Sequence, residues 1–387
     1  MTEEAVSRPE PPAVPGGFRN LSTAVWRAST VLFDSIDDFT RRRDRLFDGY
    51  SYGVTGTPTS RELERRIAEL EHAAHCVVVP SGQAALCLVL LTLLKQGDHL
   101  LVSDAAYGPL KSFAGEWMAG LGVEVSFYPA TDGAEIQAWL RPNTRLICAE
   151  SPASLTMEMQ DLPALARVAR EHGVLTMVDN TWATPLGFRP LDFGIDCCVE
   201  AASKSMGGHS DVLLGAVSTS DRALYERLRR TQSTMGQAVS PEDCFLVLRG
   251  LETLGIRVAA QGSDALAVAR WLADRPEVSQ VLFPPLPGSP GHALWARDFQ
   301  AAGCVLSFIP ADWSSDATEA FFGELKQFRI GASWGGVHSL AALYPATEQQ
   351  GRSHPTVTEA VIRLSIGLEG QALLIGDLEA AFTAMAR

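Results

Sequence analysis

Short apolar runs alternate with amphipathic, helix-like stretches through the middle of the chain. Each run suits one buried strand, and several of the stretches between them, such as 162–171, space their apolar side chains at helical intervals. The predicted strands cover 77–79, 99–102, 123–128, 146–149, 175–178, 197–201 and 212–217. This alternation of strands and helices predicts a three-layer α/β domain with a mainly parallel sheet.

Two signals indicate where helices begin near the amino end of this domain. A capping-box pattern at Thr59 and Glu62 predicts a helix that begins near Thr59. A second helix is expected after the Ser81-Gly82 turn, and its apolar residues continue to about Leu94.

The carboxyl-terminal third has a different pattern. A long helical pattern from 241 to 273 predicts a bridge into a second domain, and a loop rich in Pro and Gly follows at 283–291. Strands predicted at 303–309 and 361–366 mix with helices, which indicates a smaller α+β domain. We therefore divide the chain into a tail and arm at 1–60, an α/β domain at 61–255 and an α+β domain at 256–387.

Composition and charge argue against several classes of function. The chain has 387 residues and a formal net charge of −13, which disfavours a general surface for nucleic acid or anionic membrane. The seven cysteines form no metal-type pair and most lie in apolar runs, so we expect reduced thiols and a cytoplasmic location. The eight histidines lack i, i+4 pairing, so no metal site is predicted. The longest apolar helix candidate, 84–94, is too short to cross a bilayer.

Two charged residues that follow predicted strands suggest a common ligand. Asp179 comes directly after the run at 175–178, at a strand end where open α/β sheets place their ligands. Lys204 follows the next predicted strand, in a segment rich in Ser, Gly and His. Taken alone, the aspartate fits an ordinary turn and the lysine a solvated loop. Together they can hold pyridoxal 5′-phosphate (PLP), with the lysine amine bound to the aldehyde and the aspartate paired with the pyridine nitrogen.

Three further features fit the same cofactor. Ser81-Gly82-Gln83 forms a strand-to-helix turn whose free backbone N–H groups suit a phosphate. Ser203 adds a hydroxyl donor beside the lysine, and Tyr107 follows a predicted strand and can stack on a flat ring. Each feature also has a simpler interpretation, because such turns are common and a loop tyrosine usually packs only against its neighbours.

The order of these features along the chain resembles the Cys/Met-metabolism family of PLP enzymes, which includes cystathionine synthases and lyases and methionine γ-lyase. The resemblance runs from about Tyr52 to the carboxyl terminus. Its motifs, in order, are Tyr52-Gly53-x-x-Gly56-Thr57-Pro58-Thr59, Pro80-Ser81-Gly82, Glu150-Ser151-Pro152, Asp179-Asn180-Thr181, Lys204-x-x-x-Gly208-His209-Ser210-Asp211 and Arg363-Leu364-Ser365-Ile366-Gly367-Leu368-Glu369. So many motifs at long, consistent spacings are highly specific.

The resemblance implies the aspartate-aminotransferase-like fold of PLP enzymes (fold type I) and a homotetramer built from tight dimers. It assigns Lys204 the covalent bond to PLP and the later proton transfers, and Asp179 the protonated ring nitrogen. By the same resemblance, Tyr107 stacks on the ring and Arg363 binds the substrate α-carboxylate as a two-pronged fork. Tyr52 reaches across the dimer into the neighbouring subunit's site, which explains why the arm lacks a core of its own.

Within the family, Trp182, Ser154 and the pair Ser333-Trp334 resemble bacterial cystathionine β-lyase. We therefore expect Ser333 and Trp334 to contact substrate. The expected reaction is β-elimination of L-cystathionine, or of a related cysteine S-conjugate, to a thiol, pyruvate and ammonia. Cystathionine γ-lyase, γ-synthase or methionine γ-lyase activity is the alternative. A non-catalytic relative with the same fold is a further one.

Two positions depart from the family pattern. Val54 stands where the family usually has an arginine that crosses the dimer to bind the cofactor phosphate. This exchange predicts a weaker hold on PLP unless another cation, such as Arg61 or one in 41–45, replaces the arginine. Ser233 stands where β-lyases have tyrosine, which leaves open a preference for another cysteine conjugate.

Overall fold

The computed structural model of the chain describes residues 21–133 and 135–385, so the first part of the predicted tail, 1–20, lies outside the described residues. The strands form a seven-stranded sheet and a five-stranded sheet. In chain order they are β1 (His75–Val79), β2 (His99–Ser103), β3 (Glu124–Tyr128), β4 (Thr144–Glu150), β5 (Leu175–Asp179), β6 (Cys197–Glu200), β7 (Gly215–Thr219), β8 (Val278–Leu282), β9 (Val305–Pro310), β10 (Arg329–Ile330), β11 (Leu340–Tyr344) and β12 (Val361–Ser365).

The large sheet has the order β1-β7-β6-β5-β4-β2-β3. Strands β2 to β6 pair in parallel, and β7 runs antiparallel to both β1 and β6, so the predicted mainly parallel sheet is confirmed. The strand predicted to begin at 212 begins at Gly215. Leu214, just before it, instead exchanges backbone and side-chain hydrogen bonds with Ser203 across the loop that follows β6.

Helices cover both faces of the large sheet. The α-helices of the described chain as a whole are α1 (Ile36–Thr40), α2 (Pro58–Leu70), α3 (Gly82–Leu93), α4 (Gly108–Ser112), α5 (Leu162–Glu171), α6 (Thr184–Gly187), α7 (Arg222–Thr234), α8 (Pro241–Leu251), α9 (Leu254–Ala273), α10 (His292–Asp298), α11 (Ser315–Glu324), α12 (Ala346–Gln350) and α13 (Gln371–Met385). Alternate residues of β1 face different helices, because Val77 packs with Leu88 of α3 while Val78 packs with Leu63 of α2. The predicted three-layer arrangement is therefore confirmed. None of the helices described for 21–133 and 135–385 is long and apolar enough to span a membrane.

The helix predicted near Thr59 exists as α2, but its predicted cap is wrong. Thr57 is the capping residue: its hydroxyl accepts the Ser60 N–H over 3.4 Å, and Ser60 Oγ accepts the Thr57 N–H over 2.9 Å. The Thr59 hydroxyl donates to the Ala24 carbonyl and accepts the Trp26 N–H, both over 2.8 Å. Thr59 cannot cap the helix because its hydroxyl bonds the arm.

The small sheet has the order β10-β11-β12-β9-β8, which confirms the smaller α+β unit. The helical pattern predicted over 241–273 is present as α8 and α9, separated by Glu252 and Thr253. One continuous apolar cluster joins Val178 of the large sheet, through Trp182, to Phe308 of the small sheet. Because this core is shared, the two sheets are held against each other at the carboxyl end of β5.

Candidate active site

A cavity of about 490 Å³ lies where the carboxyl ends of the parallel strands meet the small sheet. Asp179, the last residue of β5, and Lys204, in the loop after β6, line it from the large sheet. Arg363 of β12 lines it from the small sheet. Of the predicted site residues, those that line the cavity are Ser81, Gly82, Gln83, Tyr107, Asp179, Ser203, Lys204, Trp334 and Arg363.

Lys204 contacts two of the three predicted substrate-binding residues, Ser333 and Trp334. Its Nζ donates a hydrogen bond to Ser333 Oγ over 2.8 Å and lies 5.4 Å from the centre of the Trp334 ring. Burial, followed by the positive charge of Arg363, lowers the pKa of Lys204 to about 8, although the Asp179 carboxylate acts in the opposite direction. A larger fraction of this amine is neutral and nucleophilic near pH 7 than for an ordinary lysine.

Asp179 has one carboxylate oxygen bound and one available. Its Oδ1 accepts the Thr181 backbone N–H over 3.1 Å and the Thr181 hydroxyl over 2.5 Å. Its Oδ2 has no hydrogen-bond partner among residues 21–133 and 135–385, although Asp179 lines the cavity. Burial raises the pKa of Asp179, against the Thr181 hydrogen bonds and the Lys204 charge. A protonated ring nitrogen would provide the missing partner and favour the ionised carboxylate.

The turn before α3 also lines the cavity. Ser81 caps α3, and its Oγ accepts the Ala84 N–H over 3.1 Å. The N–H groups of Gly82 and Gln83, in the first turn, have no carbonyl of a preceding helical turn to bind. A Cβ atom at position 82 would lie only 2.6 Å from the Ala201 Cβ atom, so glycine is required for this close approach. Free N–H groups at a helix N-terminus suit a phosphate.

The Ser203 hydroxyl binds the protein backbone, whereas it was predicted to donate to the cofactor. Its hydroxyl donates to the Leu214 carbonyl over 3.0 Å and accepts the Leu214 N–H over 2.8 Å. The single hydroxyl proton is therefore used within the loop. Its predicted role as a donor to the cofactor stays a prediction, and it requires rotation of this hydroxyl.

Tyr107 lies directly before α4, and its side chain is 41% exposed where it lines the cavity. Glu150 Oε2 accepts its backbone N–H over 2.7 Å. Burial raises the pKa of the Tyr107 phenol, and the Asp179 carboxylate raises it further. The phenol is therefore protonated at neutral pH, and its ring is available for stacking.

Arg363 is held from one side and faces the cavity. Its Nη2 donates to the Ala332 carbonyl over 2.7 Å, and its guanidinium carbon lies 4.9 Å from the centre of the Tyr344 ring. The residue is only 6% exposed. A fixed, planar guanidinium of this kind is suited to binding a carboxylate through two parallel hydrogen bonds.

Tyr52 and Val54 lie away from this chain's own cavity. Tyr52 is 53% exposed and is not among the lining residues of the described chain. The Val54 carbonyl accepts the Gln232 side-chain N–H over 3.1 Å. Arg61 is a poor substitute for the missing arginine, because its guanidinium donates to Glu64, to the Tyr225 hydroxyl and to two carbonyls of the arm.

Two charged residues of the cavity wall, Arg352 and Glu150, were not predicted as site residues. Arg352 donates to Asp104 Oδ1 over 3.1 Å and to Glu158 Oε1 over 2.8 Å. No local pattern marks Arg352, which reaches the wall only through packing of the chain. Glu150 did carry a sequence signal, because it lies at the end of a predicted strand as Asp179 does. In the structure the two residues are paired in register on β4 and β5.

Three groups that line the cavity fit three parts of PLP: its aldehyde, its ring nitrogen and its phosphate. Lys204 offers an amine of lowered pKa for the aldehyde, and Asp179 offers an unpartnered carboxylate oxygen for the ring nitrogen. The turn at Gly82 offers free backbone N–H groups for the phosphate. Amine, carboxylate and phosphate site all line one cavity.

Several known proteins are similar to this chain over most of its length. A putative cystathionine beta-lyase of Rhizobium johnstonii is 42% identical over 372 residues, covering 95% of this chain and 92% of that protein. A cystathionine beta-lyase of Bordetella avium is 42% identical over 359 residues, covering 92% and 90%.

A solved structure carries the same fold. It is a cystathionine gamma synthase from Xanthomonas oryzae pv. oryzae in complex with cystathionine, with a TM-score of 0.88, 33% identity, and coverage of 94% of this chain and 93% of that one. The predicted fold type is thereby confirmed. Residues 12–383 match the family described as Cys/Met metabolism PLP-dependent enzyme. The chain belongs to the Cys/Met-metabolism family of PLP-dependent enzymes.

Proposed function

We propose that the protein is a PLP-dependent carbon–sulfur lyase that catalyses β-elimination of L-cystathionine or of a related cysteine S-conjugate. The products are a thiol (homocysteine from cystathionine), pyruvate and ammonia. The observation that carries the proposal is the single cavity lined by Lys204, Asp179 and Arg363. The two β-lyase relatives at 42% identity support the same reaction.

The chain's own residues divide the work of the reaction. Bound PLP supplies an electron-accepting ring that stabilises negative charge at the substrate α-carbon. Asp179 Oδ2 pairs with the protonated ring nitrogen, and Arg363 binds the α-carboxylate and so orients the Cα–H bond. With PLP bound, Lys204 Nζ would take the α-proton and return a proton to the leaving sulfur on Cβ. Tyr107 would stack on the ring, and Tyr52 of a neighbouring subunit is the alternative to Lys204 as the proton donor to the sulfur.

The surroundings of Lys204 support its role as the general base. Burial and the Arg363 charge both disfavour the charged amine and lower its pKa to about 8. A general base works best when its pKa lies near the pH of the reaction, and a value of about 8 is close to neutral pH. Ser333 Oγ accepts from Nζ over 2.8 Å, which holds the amine at the boundary between the two sheets.

Three residues that resemble the β-lyase branch of the family lie in the cavity wall. Trp334 and Ser154 line it. Trp182 lines it as well, but it is 7% exposed and donates its Nε1–H to the Val305 carbonyl over 3.0 Å, so it also belongs to the core. Because a γ-synthase structure shares the fold, cystathionine γ-lyase, γ-synthase or methionine γ-lyase activity is kept as the alternative.

We also propose a homotetramer with active sites shared between subunits, located in the cytoplasm. Several large apolar side chains support an association surface: Leu32 and Ile36 on the arm are 71% and 79% exposed, and Leu213 at the cavity is 72% exposed. Large apolar side chains with this degree of exposure are often covered in protein–protein contacts. Light scattering coupled to size-exclusion chromatography of the PLP-loaded protein measures the subunit number.

Product analysis tests the reaction. Incubation of the PLP-loaded enzyme with L-cystathionine should yield pyruvate and homocysteine in equal amounts. If 2-oxobutyrate and cysteine appear instead, the γ-cleavage alternative is correct. A panel of cysteine S-conjugates then identifies the preferred leaving thiol.

A further inference from the structure

Glu150 is a buried carboxyl in the cavity that the proposed reaction does not use. It is the last residue of β4, is 9% exposed, and pairs in register with Asp179 on the adjacent parallel strand. Because in-register residues of parallel neighbours point to the same side of a sheet, the two carboxyls lie side by side at one end of the site. Both line the cavity.

One oxygen of Glu150 holds the backbone that carries Tyr107. Oε2 accepts the Tyr107 N–H over 2.7 Å from a strand 43 residues later in the sequence. Tyr107 begins the turn into α4, where its carbonyl accepts the N–H groups of Leu110 and Lys111. The Glu150 contact therefore fixes the start of that turn. It also fixes the backbone position from which the Tyr107 ring extends.

The other oxygen of Glu150 is not engaged. Oε1 has no hydrogen-bond partner within the described part of the chain, although the residue lines the cavity. The nearby charges are the Asp179 carboxylate, the Lys111 ammonium and the Arg363 guanidinium. Lys111 donates to the Asp104 carbonyl over 2.8 Å, and Arg363 donates to Ala332, so neither forms an ion pair with Glu150.

The electrostatic surroundings favour a neutral carboxyl. Burial raises the pKa of Glu150 well above its usual range, and Asp179 raises it further. The Tyr107 N–H, Lys111 and Arg363 act in the opposite direction without overcoming burial. Two adjacent buried carboxyls rarely ionise together, and Asp179 has the better supported charge because the Thr181 donors and Lys204 stabilise it.

We propose that Glu150 acts as a neutral carboxylic acid that positions Tyr107 against the cofactor ring and leaves Asp179 as the only carboxylate beside that ring. Glu150 is a positioning residue: it acts through the Tyr107 backbone. The inference rests on the proposed PLP site and adds to it a required protonation state.

Two substitutions of Glu150 distinguish its role in positioning Tyr107 from an effect of its charge. Glu150→Gln keeps a neutral hydrogen-bond acceptor for the Tyr107 N–H, whereas Glu150→Leu removes the acceptor and leaves that N–H unpaired. The measurements are the PLP dissociation constant, the pH midpoint of the visible absorption band of the bound cofactor, and kcat and KM separately. Thermal unfolding of each PLP-free variant checks that it is folded.

We expect Glu150→Leu to weaken PLP binding by roughly tenfold, which corresponds to one lost hydrogen bond. Glu150→Gln should restore the affinity to within about twofold of wild type and leave the pH midpoint unchanged, because no charge is removed. A midpoint in Glu150→Gln more than about half a pH unit below wild type would show that Glu150 is ionised, since loss of a nearby negative charge destabilises the protonated form of the cofactor-bound lysine.

Other outcomes also decide the question. Equal impairment of both variants overturns the neutral-acid assignment, and wild-type behaviour of Glu150→Leu overturns the positioning role. If Glu150→Leu does not fold, the midpoint in Glu150→Gln still decides the charge. A wild-type protein that takes up no PLP would overturn both this inference and the proposed function, whereas failure of this inference alone leaves PLP bound and the lyase products intact.

Discussion

Lys204 Nζ donates a hydrogen bond to Ser333 Oγ over 2.8 Å, although 129 residues separate the two in the sequence. The bond joins the loop after β6 to a loop of the small sheet. The candidate active site is thus complete only when both sheets are packed together. The apolar cluster that runs continuously from Val178 to Phe308 holds the two sheets in this arrangement.

Covalent attachment of PLP should be confined to Lys204. Borohydride reduction of the PLP-loaded protein, followed by peptide mapping, should place the label on Lys204, and Lys204→Ala should lose the label, the visible absorption and turnover. Lys326→Ala is the matched control, since the Lys326 side chain is 74% exposed and its amine pairs with Glu324 at the surface. A label on any other lysine contradicts the assignment.

The rate of PLP uptake by the PLP-free protein should follow the pKa of Lys204. The neutral amine attacks the aldehyde, so the rate should rise with pH up to about 8 and then level off, because burial and Arg363 lower the pKa of Lys204 to about 8. Stopped-flow absorbance measures this profile. Arg363→Met removes a positive charge and should move the inflection to higher pH. A rate that keeps rising to the range of an ordinary lysine would show that the amine is not desolvated.

Restoring the missing cation should tighten PLP binding. Val54→Arg supplies the arginine that the family pattern usually has, and a hydrogen bond to a charged group contributes about 1.5–3 kcal/mol, which is roughly a tenfold to hundredfold gain in affinity. Equilibrium dialysis measures the dissociation constant. Val54→Met is the control for size without charge. An unchanged constant in Val54→Arg would mean that another group already neutralises the phosphate.

Replacing Glu71 should stabilise the protein at alkaline pH. Glu71 is fully buried near Glu200 and Cys198, and burial raises its pKa to about 7. The unfolded chain loses this proton at lower pH than the folded one, so stability falls as pH rises from the ordinary value of 4.5 through about 7. Glu71→Gln cannot ionise and should gain on the order of 1–3 kcal/mol near pH 8, with a smaller gain below about pH 5.

Urea denaturation at both pH values measures the effect of Glu71→Gln. Glu69→Gln is the control on the same helix, because Glu69 is 57% exposed and pairs with Arg65. An equal gain for Glu71→Gln at both pH values would indicate a packing effect without a titration.

Local patterns were enough for much of the fold and part of the site. The strands of the large sheet appear where apolar runs predicted them, and Ser81 caps α3 where a strand-to-helix turn was expected. Asp179 and Lys204 were found because each follows a strand, and strand ends of a parallel sheet share one edge. The cap of α2 was missed because Thr59 bonds the Ala24 carbonyl in the arm, a contact that no local pattern contains.

By itself, the sequence determined the strand and helix order, the parallel sheet and the family motifs, because these depend on residues close together in the chain. Only the tertiary structure decided which side chains meet across the cavity. Glu150 holds Tyr107, and Arg352 reaches Asp104 from 248 residues away, through contacts that exist only after both sheets pack. Packing also decides desolvation, so the lowered pKa of Lys204 follows from burial that its neighbours in sequence do not specify.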